Sequence, residues 1–204
     1  GIAYGFKRVF TNLLSVKQED FEVYKRFKEI VKYAKNNGME VIADINRDVF
    51  QDLEIDNLDL SFFGELGVSG IRIDSGFSAQ ETAKMTHNAQ NIYIELNIST
   101  SATFINDVLN FKPNKENLIG CHNFYPQKYT GISFDHFRKT TESYKRHQLN
   151  TAAFVTSQHA TIGPWKVMEG LPTLESHRSL PIQVQAKHLL MTGLIDDVII
   201  SNAY

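Results

Sequence analysis

A chain of 204 residues with a formal net charge of −2, 42% hydrophobic and 22% charged residues, is sized for one substantial domain, although a full α/β barrel ordinarily takes about 250 residues. The near-neutral balance supplies no electrostatic pull toward nucleic acid or an anionic membrane surface, and it leaves small acidic or neutral molecules as partners. The single cysteine, Cys121, excludes an internal disulfide and fits a reducing compartment, and no apolar run approaches the ~18 to 20 residues of a membrane span.

Short apolar runs rich in β-branched residues alternate with longer segments whose apolar residues recur at three and four. Residues 7–14 ("KRVFTNLL") read as a strand and 18–35 as a helix with Phe21, Tyr24, Phe27, Ile30 or Val31, and Ala34 on one face, stopped by "NNGM". A strand at 40–45, a helix at 56–67 closed by Gly67 and a strand at 70–75 follow. The helix at 78–88 opens with Ser78 and carries Glu81 three positions on, the spacing of a capping box. A strand at 91–100, a helix at 101–111 and a strand at 117–124 come next. A helix at 133–148 then begins at Ser133, and a strand at 150–157 leads to a long loop at 158–180. The chain closes with a helix at 181–192 and a strand at 196–201.

Seven strands with helical segments between them and no hairpin turn signal predict a parallel sheet covered on both faces. Neither a G-x-G-x-x-G nor a Walker loop is present, so a nucleotide-binding open sheet has no motif behind it. The expected class is therefore α/β, a TIM-type (β/α)8 barrel in which "GIA" at residues 1–3 is the remnant of a first strand whose helix is truncated or missing.

In parallel α/β folds the reacting groups gather at the carboxyl ends of the strands. Polar residues stand there at nearly every strand: Thr11 and Asn12; Asp44 and Asn46; Arg72 and Asp74; Glu95, Asn97 and Ser99; His122, Asn123 and Tyr125; Thr156, Ser157 and Gln158; Ser201 and Asn202. Consecutive strands neighbour one another about 4.8 Å apart, so Asp44 and Asp74 are expected to project into one pocket. Two carboxyl groups that close do not ionise independently, which divides acid from anion as glycoside hydrolysis requires. The structural alternative is that Arg72 pairs with Asp44, Asp74 or Glu95 merely to knit the strand ends together. A metal set of His122, His177 and Asp74 has no spacing signature, and neither metal nor cofactor is called for.

Two stretches carry the remaining candidates. In "CHNFYPQKYTG" (121–131) Cys121 reads as a small buried residue, while His122 and Asn123 are placed to hydrogen-bond sugar hydroxyls and Tyr125 to stack on a sugar face. In "GPWKVMEGLPTLESHRSLP" (163–181), a long aperiodic loop, the candidates are Trp165, Glu169, Thr173, Glu175, His177 and Arg178. Its place after the next-to-last strand suits a phosphate, which Arg178 and His177 are suited to grip. The alternative is a simple Glu175–Arg178 pair in the first turn of a helix.

The stretches "GFKRVFTNL", "GMEVIADIN", "GIRIDSGF", "IELNIST", "CHNFYPQKYTGIS" and "EGLPTLESHR" resemble the MupG family of bacterial 6-phospho-N-acetylmuramidases over nearly the whole chain. The resemblance implies a TIM-type barrel over 1–204, followed in the family by a smaller cyclophilin-like domain that is expected to be absent from residues 1–204. It implies cytoplasmic cleavage of the β-1,4 bond of N-acetylmuramic acid 6-phosphate linked to N-acetylglucosamine during recovery of cell-wall peptidoglycan. Asp44 in "ADIN" and Asp74 in "RIDSGF" match the family's aspartates, as acid/base and as nucleophile or stabiliser in an order left open. On this reading Arg72, His177 and Arg178 are candidates for the phosphate or lactyl carboxylate. Asn97, His122, Asn123 and Tyr125 line the sugar, and Glu169 is a further substrate contact. The partner is a small phosphorylated disaccharide, with no nucleic acid and no membrane. Two other functions stay open: a phosphosugar-binding or sensing barrel that does not cleave, and a metal-dependent barrel lyase or aldolase, against whose Schiff-base form the lack of a strand-end Lys argues.

Overall fold

β-branched and other apolar residues concentrate in seven short runs, and each run forms a parallel strand in the computed structural model, which describes residues 1–13, 21–56, 58–74, 76–164, 167 and 169–202. The strands are β1 (Arg8–Asn12), β2 (Glu40–Ile45), β3 (Gly70–Ile73), β4 (Tyr93–Asn97), β5 (Leu118–Cys121), β6 (Thr151–Val155) and β7 (Asp197–Ile200). The helices are α1 (Phe21–Asn36), α2 (Arg47–Asp52), α3 (Ser61–Leu66), α4 (Ala79–Met85), α5 (Phe104–Asn110), α6 (Phe134–Lys145) and α7 (Ile182–Met191). The start of the helix expected at 18–35 and the candidate Trp165 lie outside the described residues. No helix among the described residues is long and apolar enough to cross a membrane.

The chain divides into two compact units, one formed by Gly1–Leu96 with Asn106–Leu118 and the other by Asn97–Ile105 with Ile119–Tyr204. In the first unit, β1 pairs with β2, β2 with β3 and β3 with β4, all parallel. In the second, β5 pairs with β6 and β6 with β7 in the same sense.

Burial follows the apolar pattern of the strands. Val41, Ile42, Ala43, Ile71, Ile73 and Ile94 are buried, and Phe50 and Phe63 meet edge to face at 5.4 Å behind them. In the second unit Phe137, Ala153, Val155, Leu174, Leu189 and Ile195 make a continuous cluster. The choice between Ile30 and Val31 in α1 falls to Val31, which is buried while Ile30 is exposed. The capping box predicted at Ser78 and Glu81 is formed, with each side chain meeting the other residue's backbone N–H.

Two local expectations differ. The "GIA" segment is not a strand remnant: Ile2–Tyr4 is one turn of 3₁₀ helix closed by Gly5 at φ 75°, a left-handed conformation glycine adopts without steric cost. Between β2 and β3 the chain makes two short helices in place of one at 56–67. Asn46 caps α2 by accepting from the Val49 N–H at 3.2 Å. Asp56 and Asp59 accept from the Leu58 and Ser61 amides at 2.8 and 2.9 Å, local side-chain bonds that compete with helix and delay α3 until Ser61.

Gly70 opens β3 where three strands approach closely. A Cβ there would lie 2.8 Å from Ile42 Cδ1, 2.8 Å from Tyr93 Cβ and 2.9 Å from the Tyr93 carbonyl oxygen. Gly70→Ala is therefore expected to destabilise the fold by about 1–3 kcal/mol through overpacking, read as a lower chemical-denaturation midpoint; an unchanged midpoint would show that the strands part without cost.

Candidate active site

Parallel register decides which side chains share a face. Asn12 pairs with Asp44, Asp44 with Arg72, and Arg72 with Glu95, so these four occupy one row across β1 to β4. Asp74 stands two residues beyond Arg72 at the carboxyl end of β3 and projects to the same side.

Arg72 is the centre of this row. It is 1% exposed, with Nε 3.7 Å from Asp44 Oδ1, Nη2 3.9 Å from Asp74 Oδ1 and Nη1 3.6 Å from Glu95 Oε1. The Phe10 ring lies 5.7 Å from its guanidinium carbon, within cation–π range. Arg8 adds a second guanidinium, 4.0 Å from Glu95 and hydrogen-bonded to Glu40 at 3.1 and 3.2 Å. Sequence reading missed Arg8, because a cation at the amino end of a strand looks like an ordinary turn residue.

Positive charge does not balance the row. Asp44 is largely buried, and its Oδ1 accepts no hydrogen bond among the described residues. Burial pushes its carboxyl up; the Arg72 guanidinium opposes that, Asp74 and Glu95 add to it, and the result is a pKa of about 6. Asp74 is more open, its side chain 45% exposed against 19% for Asp44. The two aspartates thus share one arginine but differ in solvation, the asymmetry on which acid–base chemistry with paired carboxyl groups depends.

The candidates in the second unit serve other ends. His122 is completely buried; Nδ1 meets Ser99 Oγ at 3.0 Å, Nε2 meets Thr141 Oγ1 at 2.8 Å, and the ring stacks on Phe137 at 4.7 Å. Both ring nitrogens are engaged internally, and His122 ties α6 to its strand end. Asn97 Oδ1 accepts from the Ser99 amide at 2.9 Å and shapes the turn after β4. Cys121 is buried, with Sγ 3.2 Å from the His122 carbonyl oxygen, as a small core residue.

Arg178 is likewise engaged within the protein. Nε and Nη2 donate to the two oxygens of Glu175 at 2.8 and 2.7 Å, and Nη1 donates to the carbonyls of Tyr125, Gly170 and Glu169 at 2.9, 2.9 and 3.3 Å. Glu175 in turn accepts from the amides of Tyr129 and Gly131 at 2.9 and 2.8 Å. The pair is a latch between the 121–131 and 163–181 stretches. Glu169 joins it from the surface, accepting from the Lys128 amide at 3.0 Å, and Tyr125 donates its own amide to Pro172 at 3.1 Å. Asn123 contributes backbone bonds to Ser99 Oγ at 2.9 Å and Thr173 Oγ1 at 2.8 Å. His177 is buried against His188, with Nε2 to Nδ1 at 2.7 Å. Burial first and His188 second push its pKa down to about 4, so the neutral form prevails near pH 7. Among the described residues no group of three or more His, Cys, Asp or Glu side chains is arranged to hold a metal ion.

Hydrogen bonding to Arg178 is the largest cause holding the Glu175 carboxyl down at about 2, with the Tyr129 and Gly131 amides adding to it against the effect of burial. Because the folded value lies below the ordinary 4.5, the stabilisation from this latch is complete above pH 4.5 and lost as pH falls toward 2. Glu175→Gln is expected to lower the melting temperature at pH 7, with the gap to wild type closing on acidification through that window. A gap independent of pH would deny the latch its charge.

The family model described as "6-phospho-N-acetylmuramidase, N-terminal" matches residues 2–204. Among solved structures, an uncharacterized B. cereus protein is 52% identical with a TM-score of 0.88, over 100% of this chain and 55% of that one. A conserved Enterococcus faecalis protein of unknown function is 27% identical with a TM-score of 0.82, over 98% of this chain and 54% of that one. This chain therefore spans little more than half the length of these relatives. Fungal β-1,4-galactanase structures match at 11% identity and a TM-score of 0.51, over 98% of this chain and 78% of theirs. That likeness shows the fold alone, the TIM-type α/β class. No curated protein matches the chain significantly.

Proposed function

The chain belongs to the family of 6-phospho-N-acetylmuramidase N-terminal domains, and on that premise we propose that it hydrolyses the glycosidic bond between N-acetylmuramic acid 6-phosphate and N-acetylglucosamine. The family is named for a glycoside hydrolase; the substrate and the roles of Asp44 and Asp74 are our reading. The observation that carries it is the unequal pair of aspartates on one arginine, with Asp44 held at about pH 6.

Asp44 acts as the general acid. Its raised pKa keeps a proton available near neutrality, and that proton passes to the glycosidic oxygen as the bond to the anomeric carbon breaks. Asp74, the more solvated carboxylate, faces the positive charge that develops on the sugar ring and serves as its nucleophile or stabiliser. Water supplies the hydroxyl that ends on the anomeric carbon and the proton that restores Asp44. Arg72 positions both carboxyl groups, and Glu95, the second buried carboxylate beside Arg72, keeps that guanidinium from neutralising Asp44 fully.

Incubation with the phosphorylated disaccharide is expected to release the two monosaccharides. Asp44→Asn and Asp74→Asn should each lower kcat by at least 10²-fold while leaving the circular dichroism spectrum intact, on the scale that loss of an acid–base group produces. Near-normal turnover in both variants excludes the assignment. Since the acid must carry its proton, kcat should fall as pH rises through about 6, about tenfold per unit beyond it, and this limb should disappear in Asp44→Asn. A rate that stays level from pH 6 to 9 would remove Asp44 from that role.

A further inference from the structure

Arg178 is bonded to Glu175 and three carbonyls, His177 is buried against His188, and Arg72 is enclosed by carboxylates; a further cation stands at the strand ends. Arg47 stands three residues beyond Asp44, as the first residue of α2, at the carboxyl end of β2. It also flanks the carboxyl end of β3, since a Cβ on Gly76 would lie 3.1 Å from the Arg47 Cβ. Gly76 is at φ 89°, so glycine both suits the turn and leaves room for the arginine stem.

The guanidinium is oriented but largely unused. Nη2 donates to Glu81 Oε1 at 2.6 Å, and the carbon of the group lies 5.1 Å from the centre of the Phe77 ring. Phe77 is in turn fixed edge to face on buried Phe50 at 5.6 Å. Glu81 is held by its own cap: Oε2 accepts from Ser78 N and Oγ at 2.8 and 2.7 Å. It therefore meets Arg47 through one oxygen only. Among the described residues Nε of Arg47, a buried atom, has no hydrogen-bond partner, and Nη1 makes no hydrogen bond. A guanidinium presents five N–H donors in a planar fork suited to phosphate or carboxylate, and with Nε enclosed and one Glu oxygen on Nη2 the donors left for a ligand are those of the Nη edge. Its side chain is 32% exposed, which gives solutes access.

We propose that Arg47, clamped by Glu81 and Phe77, is the oxyanion subsite beside the two aspartates, taking the phosphate or the carboxylate of the substrate. The inference rests on the phosphomuramyl reading above and extends it to the residue that selects charged substrate. Glu81 orients the fork and screens it when empty, and Phe77 supplies the face that holds it flat.

Titration calorimetry on the full chain tests this with three ligands: N-acetylmuramic acid 6-phosphate, N-acetylmuramic acid and N-acetylglucosamine 6-phosphate. Arg47→Gln is expected to weaken N-acetylmuramic acid 6-phosphate threefold or more, with Arg47→Lys, which keeps charge without the fork, in between and with melting temperature matching wild type. If phosphate is the bound group, the loss also appears with N-acetylglucosamine 6-phosphate and not with N-acetylmuramic acid; if the lactyl carboxylate is bound, the pattern reverses. Affinities in Arg47→Gln within threefold of wild type for all three ligands would overturn the subsite, as would a wild-type protein that binds none of them. Disaccharide cleavage by the wild type is scored separately, so a failed subsite with retained hydrolysis leaves the activity standing.

Discussion

A guanidinium buried to 1% exposure cannot stand without counter-charge, and Arg72 organises the first unit around that requirement. Its partners come from neighbouring strands because parallel register aligns Asp44, Arg72 and Glu95 across β2, β3 and β4, with Asp74 two residues farther along. At separations of 3.6 to 3.9 Å the attraction of the one guanidinium is divided among three carboxyl groups. One arginine shared in this way leaves Asp44 undercompensated, and burial does the rest. The arrangement that holds the strand ends together is thus the same one that leaves the Asp44 pKa raised to about 6.

The second unit uses the same residue types to the opposite effect. His122, Arg178 and Glu175 are as conspicuous in the sequence as Asp44 and Asp74, yet their polar atoms are satisfied internally. A carboxylate that accepts two guanidinium bonds and two amide bonds is pinned ionised at about 2, which makes it an anchor and a poor acid. Counting hydrogen bonds per polar atom separates the two roles more sharply than residue type or position along a strand. By the same count Arg47, with one bond made and a fork to fill, belongs with the available groups.

Much of the architecture was legible without coordinates. Seven apolar runs, the capping box at Ser78 and Glu81 and the buried choice of Cys121 follow from local chemistry, and each recurs in the structure. Local chemistry also explains the misses. Asn46 was grouped with strand-end site polars when it is a helix cap, and Asp56 and Asp59 hold turns that shorten the following helix. Side chains of this kind bond within two or three residues, and a periodicity reading passes over them.

By itself the sequence determined the alternation of strand and helix, the parallel sense of the sheet and the family, because these rest on spacing that survives along the chain. It also drew attention to Asp44 and Asp74 through their place at strand ends. Only the tertiary structure decided which polar residues remain available. Whether Arg178 faces a ligand or a glutamate, whether His122 is open or enclosed, and how far burial lifts Asp44 depend on neighbours tens of residues away. Desolvation and hydrogen-bond satisfaction are properties of the packed surroundings, and no single stretch of chain contains them.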